Sequence, residues 1–338
     1  MTTITILNDI HAGVNRTSGT TENSKWLLRR HILREFERLL PKTGDLMILG
    51  DLFDTATVPA ADLLETYYFL NRWLAADETR KLYNVAGNHD MNKVSNVLSS
   101  FQLLGRLLTN IYPTRYVQIE EPLLTPHGYV IPHVRNQELF DLELSRVPEC
   151  KTLFLHCNYN NNFAAQSDQS LNISTVQAEN LPVSTIVIAH EHHTRKHGKV
   201  LLPGNQIASS IADWLPATDK FYAVITDGAV ELVRAAARDE QYVTYDWKAI
   251  EETSKPFIRI TGTAETEELG AALSAINRYR ASSGALVIGN AVLSKKDESI
   301  AESFTTSLES VQRFSIVDAL RKILTAEEFK VVEPFTNA

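Results

Sequence analysis

The sequence predicts an α/β layered domain followed by a smaller β–α–β unit. Short β-branched runs alternate with longer amphipathic stretches over residues 1–235, and a second such series follows. Residues 3–7 (TITIL) read as the first strand. Residues 24–40 then place Trp, Leu, Ile and Phe at helical spacing, with Ser24 at the expected start. A strand at 45–50 leads to a helix at 60–76, which Pro59 opens. A strand at 81–87 and a helix at 95–108 repeat the pattern, and strands at 152–156 and 184–190 extend it. Residues 221–233 read as a hairpin turning at Asp227-Gly228. The polar stretch 235–255 marks a boundary. Beyond it lie a strand at 256–263, a helix at 265–282, a strand at 285–293 and a terminal helical pattern at 315–324. Three parts result: 1–235, 250–295 and 310–338.

Composition excludes several classes. Of 338 residues, 44% are hydrophobic and 22% charged, which is the profile of a folded globular chain. The longest apolar stretches, such as 183–189, fall far below the ~18 residues of a membrane span. No basic region precedes an apolar run at the N-terminus, so a secretory signal is not expected. Cys150 and Cys157 cannot build a disulfide scaffold, and a reducing, cytoplasmic compartment is expected. The net charge of −8 argues against tight stand-alone nucleic-acid binding, while leaving room for local basic patches.

Five clusters of metal-type ligands sit where predicted strands end. They are Asp9-Ile10-His11, Gly50-Asp51-Leu52-Phe53-Asp54, Gly87-Asn88-His89-Asp90, His156, and His190-Glu191-His192. Mixed carboxylate and imidazole donors suit divalent Mn, Fe or Zn, whereas an all-oxygen set would suggest Mg or Ca. Side chains from separate strand ends can converge on one crevice. Two ions about 3.5–4 Å apart, bridged by one carboxylate, would clamp a phosphate and activate a water.

The ordered set D-x-H, G-D-x-x-D, G-N-H-D, lone His and H-x-H resembles the calcineurin-like metallophosphoesterase superfamily. The resemblance implies a β-sandwich flanked by helices, with a dinuclear centre at its edge. It places Asp9, His11, Asp51 and His192 around a first ion, and Asp51, Asn88, His156 and His190 around a second. It makes His89 the general acid toward the leaving oxygen and Asp54 the residue that orients it. Ala189 stands where the family usually has glycine, which puts the local backbone geometry in question.

Three further features resemble the SbcD-type subunit of the break-repair nuclease–ATPase complex and its phage recombination relatives. They are the segment 50–70, the segment 204–214 with its closing hairpin, and the β–α–β unit opened by Lys255-Pro256-Phe257, similar to a DNA-capping domain. This branch implies an exo- and endonuclease acting at DNA ends in repair and recombination. It implies manganese first, with Mg, Fe or Zn as alternatives, and an SbcC-type coiled-coil ATPase as partner. It also implies a homodimer through helices 60–76 and 95–108. The chain has no G-x-x-x-x-G-K-[ST] loop, so ATP use would belong to the partner. The alternative is a stand-alone phosphoesterase acting on nucleotides, cyclic nucleotides or phosphoproteins. A scaffold with a lapsed metal site is a third reading, which the intact ligand set disfavours.

Other residues carry weaker signals. Arg195, Lys196 and Lys199, with His193 and His197, follow Glu191 without another acid and are the candidate DNA contacts. The basic face of helix 24–40 reads as a solvated face, with nucleic-acid contact as the alternative. His31, His127 and His133 match no motif and are expected to pack or lie at the surface, and Cys157 is expected to pack. Ile316, Val317, Leu320, Ile323 and Leu324 form an apolar stripe, expected to bind a partner.

Overall fold

Alternation of side chains along each strand sorts the apolar residues into layers. Ile4, Ile6, Met47, Leu49, Phe154 and Val187 share one apolar cluster. Their strand neighbours Leu46 and Ile48 join a second cluster with Phe36, Phe69 and Phe101. Leu153, Leu155, Ile186 and Ile188 join a third with Phe140 and Ala178. The outcome is helix, sheet, sheet, helix. A computed structural model describes residues 2–14, 22–92, 97–161 and 171–295. The expected helix at 315–324 and the segment 310–338 lie outside the described residues.

In chain order, β1 (Thr3–Leu7), α1 (Glu22–Leu39), β2 (Asp45–Leu49), α2 (Ala60–Ala75), β3 (Leu82–Val85), α3 (Ser100–Ile111) and β4 (Tyr116–Ile119) come first. Then come β5 (Leu123–Thr125), β6 (Gly128–Ile131), α4 (Gln137–Ser145), β7 (Cys150–His156), β8 (Asn158–Tyr159), β9 (Asn172–Ile173) and α5 (Thr175–Asn180). The large unit closes with β10 (Val183–Ala189), β11 (Arg195–His197), β12 (Val200–Leu202), β13 (Lys220–Thr226) and β14 (Ala229–Ala236). The smaller unit contains α6 (Arg238–Gln241), β15 (Tyr242–Asp246), β16 (Phe257–Thr261), β17 (Thr263–Ala264), α7 (Leu269–Ser282), β18 (Val287–Asn290) and β19 (Leu293–Ser294).

One sheet runs β14-β13-β1-β2-β3-β4 and the other β11-β12-β10-β7-β6-β5. Strands β1 to β4 are mutually parallel, as are β6, β7, β10 and β12. Parallel strands deliver all their C-terminal ends to one edge, and the ligand motifs follow those ends.

Two expectations change. The helix expected at 95–108 begins at Ser100, because Ser99 and Gln102 form a reciprocal capping box, and it continues to Ile111. The polar stretch 235–255 contains a strand, β15, which pairs in parallel with β16. The smaller sheet therefore starts before residue 250. This unit joins the large one through apolar contact, since Tyr242, Phe257, Leu286 and Val287 share a cluster with Leu28, Ile32 and Trp214. Among the described residues, no helix is long and apolar enough to cross a membrane.

Phe154 is fully buried between the two sheets, so Phe154→Ala leaves a cavity that neither sheet can close. A loss of about 3–5 kcal/mol is expected in denaturant unfolding. A loss below about 1 kcal/mol would be inconsistent with this interior position.

Candidate metal centre

Glycine and left-handed backbone make the convergence of the ligands possible. Gly50, at φ +83°, precedes Asp51, and a Cβ there would lie 2.0 Å from His156 Nδ1. Gly87 precedes Asn88, and a Cβ there would lie 2.1 Å from Asp51 Oδ1. Only glycine fits either position. Asp9, His11, Asp51 and His190 themselves adopt positive φ, at 51°, 53°, 51° and 92°. L residues visit this region at a cost of roughly 1–3 kcal/mol, and such strain concentrates where geometry serves function. The loops are tied by backbone bonds from Asp9 N to Gly50 O, His11 N to Asp51 O, and Ala12 N to Leu52 O.

Three ligand groups form at this edge: Asp9 with His11 and His192, His11 with Asp51 and His89, and Asp51 with His156 and His190. Within each group the ligand atoms lie within 4.8 Å of one another. The Nε2 atoms of His11 and His192 are 3.4 Å apart. His156 Nε2 lies 3.4 Å from Asp51 Oδ2 and 3.1 Å from Asn88 Oδ1, and His190 Nδ1 lies 3.0 Å from that same oxygen. Asp51 thus belongs to groups on both sides. All seven sequence-derived ligands meet in one place.

The donor set fits a pair of divalent cations. Asp9 Oδ2 accepts from Asn8 Nδ2 and from His190 N, while its buried Oδ1 has no hydrogen-bond partner among the described residues. A buried carboxylate oxygen left unmatched is costly unless a cation meets it. Mixed imidazole, amide and carboxylate donors suit Mn, Fe or Zn.

Electrostatics inside the site are strongly coupled. Burial opposes the Asp51 charge, but His156, His11 and His89 around it hold its carboxyl well below the usual range. Burial likewise opposes protonation of His156, yet the facing Asp51 raises it to about 9. His190 goes the other way, lowered to about 4 by burial and the charge of His156. Burial and the neighbouring Asp51 raise Asp90 to about 7.

The remaining predicted residues fall as follows. His89 Nδ1 bonds the backbone carbonyl of Asp54 at 2.6 Å. The Asp54 carboxylate lies 3.3 Å from His11 Nδ1, so the expected hold on His89 comes from the Asp54 main chain, and the side chain faces a ligand instead. Ala189 lies in extended β10, paired with His156, and its methyl fills the layer between the sheets. Arg195 Nη2 donates to both oxygens of Glu191 and to Tyr159 O. Lys199 Nζ donates to the carbonyls of Glu179 and Leu181 near the end of α5. Lys196 is exposed on β11. Two of the three candidate DNA contacts therefore engage the protein's own acceptors. His127 pairs with Asp45 at 2.7 Å, His31 packs edge-on to Phe257, and Cys157 is buried beneath α4 and α5.

Sequence reasoning missed two supporting carboxylates. Asp90 accepts backbone amides from Leu52, Phe53 and Gly87, fastening the second ligand loop to the third. Asp213 accepts from His192 Nδ1 at 2.6 Å. The G-N-H-D motif contains the first. A serine pair followed by an acid was the available signal for the second.

A model of the calcineurin-like phosphoesterase family matches residues 2–201. The chain belongs to that family. It is accordingly a metallophosphoesterase-type phosphoester hydrolase that uses divalent metals. Solved structures similar to this phosphoesterase include an archaeal phosphodiesterase, 10% identical, with a TM-score of 0.34. That alignment covers 69% of this chain and 99% of the other. A cold-active protein-tyrosine phosphatase of the psychrophile Shewanella is 11% identical with a TM-score of 0.32, covering 69% and 81%. A Staphylococcus aureus protein described as a 5′-nucleotidase, in complex with α-ketoglutarate, is 13% identical with a TM-score of 0.34. There the coverage is 70% of this chain and about half, 54%, of the other. No curated protein matches the phosphoesterase in sequence.

Sharing of Asp51 between groups sets a prediction. Asp51→Asn removes the negative charge that faces both, so metal analysis after stringent dialysis should find both ions depleted. His192→Ala should deplete one. Full two-ion occupancy in Asp51→Asn would exclude a bridging role.

Proposed function

We propose that this phosphoesterase is a DNA nuclease of the SbcD type, cutting phosphodiester bonds at DNA ends in repair and recombination. Manganese is the favoured cation and an SbcC-type coiled-coil ATPase the partner, with residues 310–338 as its docking segment. The observation that carries this reading is the smaller α/β unit seated beside the metal edge. Phe257 of β16 meets Trp214 at 6.1 Å between ring centroids, one residue from the carboxylate that bonds His192. Such a unit lengthens the surface along which a polymer can lie, which a small phosphoester does not require.

Bound among Asp9, His11, Asp51, Asn88, His156, His190 and His192, two divalent cations would supply Lewis-acid polarisation and an activated water. The chain's own residues supply the rest. The Asp54 carbonyl can only accept, so His89 Nδ1 donates to it. In the imidazolium form Nε2 carries the second proton, which it gives to the departing sugar oxygen, leaving the neutral ring still bonded to Asp54. The edge-on contact with His11, at 5.0 Å between centroids, keeps that imidazole beside the ligand groups.

The helices α2 and α3 support a homodimer. Leu64 and Tyr68 on α2, and Leu103, Leu107 and Ile111 on α3, are exposed at spacings of four residues. Apolar stripes of this kind call for a partner surface, and a second copy supplies its own complement.

The deciding assay compares linear duplex DNA, hairpin DNA and small phosphoesters, with Mn or Mg, with and without the ATPase. DNA cleavage in Mn is expected. Turnover confined to nucleotides, cyclic nucleotides or phosphoproteins would replace this reading with a stand-alone phosphoesterase. In the same assay, His89→Ala should retain two metals and lose ~10²–10⁴-fold in DNA cleavage, but far less on a nitrophenyl phosphodiester. An equal loss on both substrates would remove His89 as the proton donor. For the dimer, Leu103→Glu with Leu107→Glu should convert a sedimenting dimer to monomer. A monomeric parent chain would dismiss the interface.

A further inference from the structure

Asp213 sits in a short 3-10 turn, Ala212–Trp214, and is buried. Its two oxygens divide their work. Oδ2 accepts from Ser209 N, Ser210 N and Ser210 Oγ at 2.8–2.9 Å, with Ser209 Oγ at 3.4 Å, and so anchors its own turn. Oδ1 meets His192 Nδ1 at 2.6 Å. On the other ring nitrogen, Nε2 of His192 converges on Nε2 of His11. We propose that Asp213 is a positioning residue for the first cation site, pinning the His192 ring with its Nε2 lone pair turned toward Asp9 and His11. The proposal rests on His192 being a ligand of that site.

An imidazole ligates through one nitrogen, and the hydrogen bond made by the other nitrogen selects it. The carboxylate at Oδ1 can only accept, so Nδ1 must carry the proton and Nε2 must be free of one. His192 needs this help more than His156 does. His156 is fully buried, with Nδ1 held by the carbonyl of Leu49. The His192 side chain is 22% exposed, on a loop beyond its strand. The backbone of the same loop is held separately, by the buried Lys220, whose Nζ donates to His192 O and Asn205 Oδ1. Main chain and ring thus have different anchors, and removing the ring's anchor need not unfold the loop.

The experiment uses the full-length chain. Asp213→Asn preserves size and keeps one oxygen for the serine amides, but turns a donor toward Nδ1 and so favours the wrong tautomer. Long-range proton–nitrogen NMR of histidine-labelled, metal-stripped protein reads that tautomer directly. Nδ1–H is expected in the parent chain and Nε2–H in Asp213→Asn. Calorimetric Mn titration should show roughly 10–100-fold weaker binding at one site in Asp213→Asn. In a His192→Ala background the same change should add less than about twofold, since the ring it positions is gone. Nε2–H in the parent chain overturns the proposal without any variant. Additive losses in the double variant overturn it as well. If His192→Ala alone leaves Mn binding intact, the ligand assignment beneath the proposal fails instead.

Discussion

The Asp51 carboxylate is almost wholly removed from water and lies against imidazoles contributed by both sheets. A buried charge must find compensation nearby, and that requirement organises the surrounding structure. His156 approaches from the second sheet, and the His89 amide donates to Asp51 Oδ1 at 2.9 Å. Gly50 and Gly87 are obligatory because the ligands pack too tightly for any Cβ. Left-handed backbone at four ligands follows from the same crowding. The two sheets with their apolar interior are what hold this arrangement against its strain.

Around the ligands lies a set of groups that touch no other function. Asp90 ties loop to loop, and Asn8 and Gln206 form a buried amide pair behind Asp9. Glu191 accepts from Tyr159 N and from Arg195, fastening the H-x-H turn to β8, which follows His156 in the chain. Much of the charge near the site is therefore used inward. With a net charge of −8, the chain's overall field does not by itself favour a polyanion.

The smaller unit and the metal edge meet through one segment. Residues 209–214 give Asp213 to His192, while Ile211 and Trp214 join the apolar cluster that includes Phe257 and Val287. Placement of the smaller sheet and placement of a ligand ring are thus settled by the same few side chains. A 2.6 Å hydrogen bond ties this segment to the His192 ring.

The seven candidate ligands, which the structure brings together, were nameable from the sequence although they span residues 9 to 192, because each motif is local: a β-branched run, then one or two polar side chains. The α/β layering was legible for the same reason, since periodicity is written into each segment. The strand β15 was not, because only Tyr242 in it is buried and the rest is half-buried or exposed at a sheet edge, where pairing with β16 is what makes it a strand. Arg195 and Lys199 announced positive charge, but which acceptor each would meet depended on Glu191 and the end of α5 folding beside them. Asp213 lies 21 residues from His192, and the serine pair ahead of it does not say which ring it will meet. Sequence alone determined which atoms could bind a cation. Tertiary structure alone decided which carboxylates would aim those atoms, because an orienting hydrogen bond exists only once two distant loops are brought within 3 Å.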